Sequence, residues 1–330
     1  MSKYIVRENN DNSLWNHLVD KSCQGTVFCK TDFIESIHLL HKTYLVFKGE
    51  EPVLGCVIML DGYGKCVPSP YHFVPYQGFL FFDNYTESSY HKCNSNRFEA
   101  SKILMEYLVE KYQCLLQTHI GDIDCRPFLW HNYNTPEKGV FKLSLGYTPI
   151  LDLRKYDTIE QYLSSVRSAR RQEYNKAKQA NIEVLSSTNI DILIELYDKT
   201  FSRQGIDVPS QEKELVADIA KKAIEKKYGN MLVALSNGTP VSCVFFLNDN
   251  KRGYYLFGAS DPEFRNTFAS TLLLIESIWN CKKNGLLEVD FVGCNSPKRG
   301  DYKLSYNGKL VCSITTNLLQ NISQDNTPCK

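Results

Sequence analysis

A lysine and an aspartate in the last third of the chain could support chemistry at a carbonyl group. Lys303 lies between Tyr302 and Tyr306, shortly before an Asn-Gly pair. An ammonium group beside a reacting carbonyl can stabilise a developing oxyanion, or it can bind a phosphate or carboxylate. Asp290 follows an apolar segment and precedes Gly293, as a carboxylate at the end of a core strand does, and it could orient or deprotonate an attacking amine. The alternatives are a surface lysine beside a turn and a carboxylate that accepts backbone hydrogen bonds.

A basic stripe is predicted on one helix. Arg167, Arg170, Arg171, Tyr174 and Lys178 have the spacing i, i+3, i+4, i+7, i+11, which places them on one helical face. Three guanidinium groups on one face can clamp a phosphate or carboxylate of a substrate, because each offers a planar fork of donors. The other interpretation is a solvated basic face, which is what most charge runs are.

A strand followed directly by a helix could bind the anionic part of a donor molecule. The apolar strand at residues 254–258 leads through residues 259–267 into an amphipathic helix. The N-terminus of a helix presents free N–H groups and the positive end of the helix dipole, so it can hold a pyrophosphate. Asn266 or Thr267 could instead be the helix cap. The residues assigned to donor binding are Tyr255, Phe257, Gly258, Ser260, Arg265, Asn266 and Thr267.

An aromatic loop in the first half of the chain is a candidate for lining a pocket. Residues 62–85 are rich in proline, glycine and tyrosine, and residues 74–78 read Val-Pro-Tyr-Gln-Gly. Such a segment cannot form a regular helix. Tyr76 and Gln77 are therefore candidate substrate-binding residues. The loop could equally be a plain connection between strands.

The cysteine and histidine pattern argues against metal and triad chemistry. None of the twelve cysteines forms a CxxC pair, and several, such as Cys56, Cys243 and Cys312, lie in apolar strand contexts. We therefore expect reduced, buried thiols, with neither zinc nor disulfides. All seven histidines lie at or before His131, so the C-terminal half cannot build a histidine triad or zinc site from its own residues. No metal site is predicted.

The elements that position these residues occur twice along the chain. Each half reads as a hairpin, a long amphipathic helix (residues 97–112 and 267–284) and a short apolar strand. The repeated order predicts two copies of one α/β unit, each with a mixed sheet. At an offset of 187 residues the identical pairs are Leu45 with Leu232, Val46 with Val233, Cys56 with Cys243, Val57 with Val244 and Leu60 with Leu247.

Length and composition fit two globular domains. A chain of 330 residues can bury two cores, and 43% hydrophobic with 23% charged residues is an ordinary globular balance. We predict domains at residues 1–146 and 147–330. The net charge of +1 argues against a general nucleic-acid coat, though not against one local basic site. The polar N-terminus does not read as a signal peptide, and no apolar run approaches the roughly 18 residues that span a bilayer, so we expect a cytoplasmic protein.

The order of these motifs resembles the FemAB/FemX-like branch of the Gcn5-related N-acyltransferase (GNAT) superfamily. The resemblance covers residues 147–316 well, and the Pro-Tyr-Gln-Gly run at 75–78 resembles the degenerate N-terminal GNAT copy of the same group. The similar pieces are the basic helix, the hairpin, Tyr-Leu-Phe-Gly-Ala-Ser-Asp-Pro at 255–262, the long helix, Val-Asp-Phe-Val-Gly at 289–293 and Tyr-Lys-Leu-Ser-Tyr-Asn-Gly at 302–308.

The resemblance implies a tandem pair of GNAT folds and transfer of an acyl group to an amine. Members of the group use acyl-CoA or aminoacyl-tRNA as co-substrate, with no tightly bound cofactor, and peptidoglycan precursor peptides are their best-known acceptors. Tyr302 and Lys303 match the aromatic-lysine pair of the group, which implies contact with the donor or the reacting carbonyl. The helix with Arg167, Arg170 and Arg171 implies a site for acceptor phosphates.

Two features of the group have no counterpart in this sequence. Some aminoacyl-type members carry a long helical-hairpin arm, and the superfamily has a Gly-rich pyrophosphate loop where Arg265-Asn266-Thr267-Phe268-Ala269 stands here. The predicted function is an N-acyltransferase acting on an anionic acceptor such as an amino sugar or cell-envelope precursor. The alternatives are an aminoacyl-tRNA-dependent peptidoglycan bridge ligase and a non-catalytic binding protein with the GNAT fold.

Overall fold

The structure, a computed structural model, describes residues 3–67, 73–82, 89–180 and 182–320. The chain divides into two compact units, one formed by Met1–Gly146 with Cys312–Lys330 and the other by Tyr147–Val311. The prediction of domains 1–146 and 147–330 shares the division after residue 146 but places the last strand in the other unit. That strand groups with the first unit because Ser313 to Asn317 pair with a strand of that unit.

The first unit has an antiparallel sheet in the order β1-β2-β3-β4. A long helix, α3, starts seven residues before the predicted position, and one hydrophobic core joins α3 to the sheet. The strand β1 is not predicted from the sequence, because its three apolar residues are followed by three polar ones and the two kinds do not alternate. The elements are β1 Tyr4–Asn9, α1 Asn12–Lys21, α2 Thr31–Ser36, β2 Leu40–Lys48, β3 Glu51–Leu60, β4 Leu80–Phe81, α3 Tyr90–Tyr112, β5 Leu116–Ile120, α4 Arg126–Leu129 and β6 Val140–Asp152.

The second unit has a mixed sheet, in which β7-β8-β9-β10 are antiparallel neighbours and β10-β11 are parallel. The helix α9 packs on this sheet through an almost continuous apolar surface, in which each buried leucine or isoleucine contributes about 1.5–3 kcal/mol. The elements after β6 are α5 Ile159–Ser165, α6 Ser168–Gln179, β7 Glu183–Ser186, α7 Ile190–Ser202, α8 Ser210–Glu225, β8 Gly229–Ser236, β9 Thr239–Asn248, β10 Arg252–Ser260, α9 Ala269–Lys283, β11 Glu288–Asp290, α10 Pro297–Leu304 and β12 Lys309–Leu319.

The order of elements from β1 to β6 is repeated from β7 to β12, apart from short 3-10 turns. The predicted fold class, two copies of one α/β unit, is therefore confirmed. The predicted offset of 187 residues is wrong by one. The hairpin turns lie after Lys48 and Ser236, and the bulges follow Val46 and Ala234, so equivalent positions are 188 residues apart. Because side chains alternate across a strand, a one-residue slip exchanges the two faces. The five identities thus join the correct strands but not equivalent positions.

Within the described part of the chain, none of the helices combines the length and the apolar composition needed to cross a bilayer.

Candidate active site

The parallel strands β10 and β11 separate at one end of the second sheet. Their last paired residues are Tyr254 and Asp290, where β11 stops, whereas β10 continues to Ser260. A bulge between Tyr255 and Phe257 bends β10 in this region. Beyond Tyr254 the backbone of β10 therefore has no partner on β11, and this free edge is the feature around which the candidate residues are arranged.

A strained turn follows β11. Val292 and Gly293 have φ angles of +53° and +80°, and a β-branched residue with positive φ is rare because its side chain is crowded there. The turn is held by two backbone donors. The Val292 N–H donates to Asp290 Oδ1 at 2.7 Å, and the Gly293 N–H donates to Thr148 Oγ1 at 2.9 Å. The Thr148 hydroxyl in turn donates to Asp290 Oδ1 at 2.5 Å, so one small network fixes the turn.

Lys303 reaches this turn from α10. Its Nζ donates to the carbonyl oxygens of Val292 at 3.0 Å and Gly293 at 2.9 Å, and it lies 5.7 Å from the centroid of the Tyr255 ring. The turn thus points both carbonyls at the ammonium group. The structure brings Lys303, Asp290 and Tyr255 together at the place where β10 and β11 separate.

The sequence analysis misses α10, the helix that carries Lys303. Gly300 is its only fully buried residue, so the helix has no apolar stripe for a pattern to reveal. Pro297 starts the helix, where its missing N–H costs nothing. A Cβ at Gly300 would lie 2.4 Å from the carbonyl oxygen of Cys294, so glycine is required for α10 to approach the turn this closely.

Arg299 is a second cation on α10 that the sequence analysis does not select. It lies four residues before Lys303, a spacing that puts both side chains on one helical face and could have identified it. Its exposed guanidinium lies 5.7 Å from the centroid of the Phe201 ring, and among the described residues no carboxylate forms an ion pair with it. Its charge is close enough to contribute to lowering the pKa of Lys303.

Burial sets the protonation behaviour of this cluster. Removal from water lowers the pKa of Lys303 to about 8, against the attraction of the Asp290 carboxylate. Burial also raises the pKa of Asp290, and the Thr148 hydrogen bond and the nearby Arg252 charge oppose that rise. Asp290 is 0% exposed, and its Oδ2 has no hydrogen-bond partner within the described residues. A carboxylate without exposure does not meet a substrate amine, so this geometry favours a structural acceptor over a base.

Tyr302 and Lys303 have different surroundings although they are adjacent. The Tyr302 hydroxyl accepts a hydrogen bond from Tyr306 at 2.7 Å, and the guanidinium of Arg170 lies 5.1 Å from its ring centroid. The Tyr306 ring stacks on Phe291 with centroids 5.9 Å apart. Tyr302 therefore belongs to the aromatic cluster that supports α10 rather than to the groups that accept hydrogen bonds from the Lys303 ammonium.

Carboxylates neutralise most of the predicted basic stripe. Arg167 forms a bidentate pair with Asp301 at 2.7 and 2.8 Å, and Arg170 pairs with Glu173 at 2.7 Å. Arg171 is exposed and has no ion pair among the residues that the structure describes. The predicted clamp of three free guanidinium groups is therefore not present, because two of the three have nearby acids that the sequence pattern could not place.

The N-terminus of α9 differs from the predicted one. Residues Pro262–Thr267 form a 3-10 helix, and the cap of α9 is Phe268 with φ +56°, whose side chain makes no capping bond. The cap position is thus neither Asn266 nor Thr267, although the Thr267 hydroxyl accepts a long hydrogen bond from the Ala269 N–H at 3.4 Å and donates to the Phe264 carbonyl at 2.6 Å. Arg265 and Asn266 are exposed.

Three further residues were assigned to donor binding, namely Phe257, Gly258 and Ser260. Phe257 is buried and packs against Phe245 in the core, so it does not face a ligand. Gly258 is exposed, and a Cβ there would lie 1.9 Å from the Tyr255 hydroxyl, so glycine lets the Tyr255 side chain fold over the strand. The Ser260 hydroxyl is hydrogen-bonded with that of Ser242 at 2.9 Å.

Tyr76 and Gln77 are core residues of the first unit. They are 3% and 8% exposed, and the Tyr76 ring makes an edge contact with Phe28. The Gln77 N–H donates to the Thr118 carbonyl at 3.1 Å. Their burial takes both side chains away from any ligand, so the alternative of a plain connection fits them better than substrate binding. Residues 68–72 and 83–85 of the predicted loop lie outside the described residues.

The chemistry of this cluster is not that of a metal centre. Among the described residues there is no group of three or more histidine, cysteine, aspartate or glutamate side chains that could hold a metal ion. The free edge of β10 and the Lys303 ammonium can instead accommodate an extended, partly anionic ligand with a polarised carbonyl group.

Comparisons with known proteins agree with this geometry. Residues 164–304, which include β10, the strained turn and Lys303, match the family model of the acetyltransferase (GNAT) domain. No curated protein sequence matches the chain significantly. The crystal structure of FemX is 14% identical and has a TM-score of 0.70, with 97% of this chain and 98% of that chain covered.

Two further solved structures are similar over nearly the whole chain. A tandem GNAT protein from the clavulanic acid biosynthesis pathway is 11% identical, with a TM-score of 0.54 and coverage of 98% of this chain and 100% of that chain. L-PGS from Bacillus licheniformis is 10% identical, with a TM-score of 0.53 and coverage of 94% and 92%. The predicted tandem GNAT fold with a FemX-like architecture is confirmed, and the family model that matches residues 164–304 is that of the acetyltransferase (GNAT) domain.

Proposed function

We propose that the chain is an N-acyltransferase that moves an acyl or aminoacyl group from a thioester or ester donor to the amine of an anionic acceptor. The observation that carries the proposal is the Lys303 ammonium, fixed by two carbonyls at the free edge of β10 inside the matched GNAT domain. The same ammonium can bind the anionic group of a ligand, and formation of a new amide distinguishes the enzyme from such a binding protein.

The reaction is a direct displacement at the donor carbonyl. The acceptor nitrogen forms a bond to the carbonyl carbon, the oxyanion of the tetrahedral intermediate forms, and collapse expels a thiolate or alkoxide. A lysine ammonium has three N–H donors, of which Lys303 uses two for Val292 and Gly293. The third is available for the oxyanion, where a preorganised donor is most effective. The acceptor ammonium loses its protons to solvent.

The donor is acyl-CoA or aminoacyl-tRNA. The free edge of β10 after Tyr254 offers backbone donors and acceptors to an extended chain. At the N-terminus of α9 the Ala269 N–H donates a long hydrogen bond of 3.4 Å to the Thr267 hydroxyl, which a phosphate oxygen can displace. Arg265 and Asn266 are exposed close before that terminus. These features suit the anionic part of either donor.

The acceptor carries an anionic group near its amine. Arg299, on the same helix as Lys303, and Arg171, next to Arg170 on α6, are exposed guanidinium groups that form no ion pair with a described residue, and guanidinium forks bind phosphates and carboxylates well. The resemblance to the FemX-like group suggests an amino sugar or cell-envelope precursor made in the cytoplasm. With this acceptor, aminoacyl-tRNA as the donor would make the chain a peptidoglycan bridge ligase.

Donor competition assays test the proposal. The purified chain is incubated with an amino-sugar phosphate and a pool of envelope precursors, once with acetyl-CoA and once with charged tRNA. The new amide is measured by mass spectrometry, with Lys303→Met as the inactive control and Lys298→Met as the matched control on the same helix. Amide formed by the parent and by Lys298→Met with one donor supports the proposal and identifies that donor. Binding of acceptor without amide from either donor would support the non-catalytic alternative.

A further inference from the structure

Thr148 occupies the central position of the network behind Lys303, and no sequence motif points to it. Its side chain is completely buried in β6, two residues before Ile150, the residue that pairs with Asp290. The hydroxyl makes two hydrogen bonds of opposite sense. It donates to Asp290 Oδ1 and accepts from the Gly293 N–H.

We infer that Thr148, acting with Asp290, is a positioning residue that fixes the Val292–Gly293 turn and thereby holds the Lys303 amine at the free edge of β10. The turn adopts φ angles that a valine rarely takes, and such a conformation persists only where the surroundings impose it. The two backbone N–H groups of the turn bind Asp290 and Thr148, and its two carbonyls bind Lys303.

The chain of contacts explains why a hydroxyl is needed at this position. Only a side chain that both donates and accepts can join the Asp290 carboxylate to the Gly293 N–H, and serine or threonine can do so whereas valine cannot. Loss of the hydroxyl leaves the Gly293 N–H without its acceptor and removes one of the two donors to Asp290 Oδ1. The turn can then relax to ordinary φ values, which moves both carbonyls away from the Lys303 ammonium.

A role confined to core packing makes a different prediction. Threonine and valine side chains have nearly the same shape, so Thr148→Val preserves the packing of the core. If Thr148 only packs, the variant can lose stability, but the labelling of the Lys303 amine stays unchanged. Positioning instead alters the reactivity of an amine that Thr148 does not contact. The kinetic part of this inference rests on the proposed function, whereas the state of the Lys303 amine does not.

The experiment compares Thr148→Val with Thr148→Ser. The control for loss of a threonine hydroxyl elsewhere is Thr118→Val, because the Thr118 hydroxyl is hydrogen-bonded to that of Thr315 in the first unit. Lys303 is trace-labelled with acetic anhydride across a pH series, and its peptide is measured by mass spectrometry. The parent is expected to label with a midpoint near pH 8, in line with its lowered pKa. In Thr148→Val the released amine is solvated, so its midpoint moves toward about 10.4, the ordinary lysine value.

The same variants are assayed for turnover. Thr148→Val is expected to lower kcat roughly ten- to a hundredfold with the donor KM nearly unchanged, because a misplaced catalytic group affects the transition state more than ground-state binding. Thr148→Ser is expected to recover most of this loss and to label like the parent. Thr148→Cys, with a similar shape and weak hydrogen bonds, should fall between them and serves if the valine variant does not fold.

The outcomes separate the two claims. An unchanged labelling midpoint in Thr148→Val overturns the inference, even if the variant melts at a lower temperature. A midpoint that rises in Thr148→Val and returns in Thr148→Ser supports it. Absence of turnover in the parent with every donor would count against the proposed function, while the labelling series would still decide the role of Thr148.

Discussion

The two units differ at the equivalent point of the repeated fold. In the second unit, β10 and β11 pair for three residues and then separate, and β10 is nine residues long. In the first unit, the equivalent strand β4 has two residues, and the segment before it is bonded to β5. There the Gln77 N–H donates to the Thr118 carbonyl at 3.1 Å, and the Phe79 N–H donates to His119 Nδ1 at 3.0 Å.

In the first unit the imidazole of His119 accepts a hydrogen bond from the backbone just before β4, whereas in the second unit the corresponding backbone of β10 has no partner on β11. His119 is buried, and its ring makes contacts with Phe79 and Phe128 at centroid distances of 5.3 Å each. A Cβ at Gly78 would lie 2.4 Å from His119 Nδ1, so the chain can pass the ring only as glycine. Burial lowers the pKa of His119 to about 3, which keeps the ring neutral and able to accept the Phe79 N–H.

The helices that follow β5 and β11, α4 and α10, also differ between the two units. The second unit places Lys303 on the eight-residue helix α10, whereas the equivalent helix α4 has four residues and its Arg126 pairs with Asp124. The first unit also has a small cavity at this point, lined by Phe81 and Arg97 among others, but the guanidinium of Arg126 beside it is paired with Asp124. The second unit instead holds the Lys303 ammonium against two backbone carbonyls. The comparison teaches that one fold can build two different environments at the same point, according to the separation of two strands and the length of one helix.

The strongest test of this contrast is Lys303→Met. Loss of an oxyanion donor typically lowers kcat on the order of a hundredfold. The variant also leaves the carbonyls of Val292 and Gly293 without their donor, which costs about 1–3 kcal/mol in the free energy of unfolding. Steady-state kinetics and urea unfolding measure the two effects, and Lys298→Met on the same helix should show neither. A Lys303→Met enzyme with the parent kcat would remove the chemical distinction between the units.

The reciprocal test removes the imidazole from the first unit. His119→Ala leaves the buried Phe79 N–H without an acceptor and creates a cavity among aromatic rings, so we expect a loss of about 2–4 kcal/mol in the free energy of unfolding. The kcat of the folded fraction should remain that of the parent. His131→Ala, a half-buried histidine of the same unit, is the control and should cost clearly less. A His119→Ala variant of parent stability but lower kcat would mean that the first unit takes part in the reaction.

The same imidazole makes stability depend on pH. The folded state lowers the pKa of His119 from its ordinary value of 6.5 to about 3, so between these values the unfolded state binds the additional proton. The free energy of unfolding therefore falls as the pH is lowered through this window and is not affected by His119 above it. In His119→Gln, which can still accept from Phe79, the fall between pH 6.5 and 4 should be shallower than in the parent. Parallel curves for the two proteins would show that His119 is not neutral in the folded state.

The sequence predicts the elements of both units better than it predicts the site. Alternating or continuous apolar residues made the hairpins and long helices recognisable. Helix α10 was not predicted, because Gly300 is its only buried residue. Partners distant along the chain could not be found. Thr148 and Asp290 are 142 residues apart, and Arg167 and Asp301 are 134 apart. The sequence shows the charged groups but does not show which of them form ion pairs. These ion pairs decide which arginines are available to bind a ligand.

The smallest expected effect compares an arginine from each unit. Arg299 on α10 forms no ion pair with a described residue and shares a helical face with Lys303, so we expect it to bind the anionic group of the acceptor. Arg299→Gln should raise the acceptor KM about tenfold, the lower end for loss of a hydrogen bond to a charged group because this guanidinium is exposed, with kcat and the donor KM nearly unchanged. Arg126→Gln on α4 should change none of these constants, because Asp124 already occupies that guanidinium. If both variants raise the acceptor KM equally, the acceptor responds to the net charge of the chain rather than to a site on α10. Repeating the assay with an uncharged acceptor sharpens the result, since the difference between parent and Arg299→Gln should then vanish.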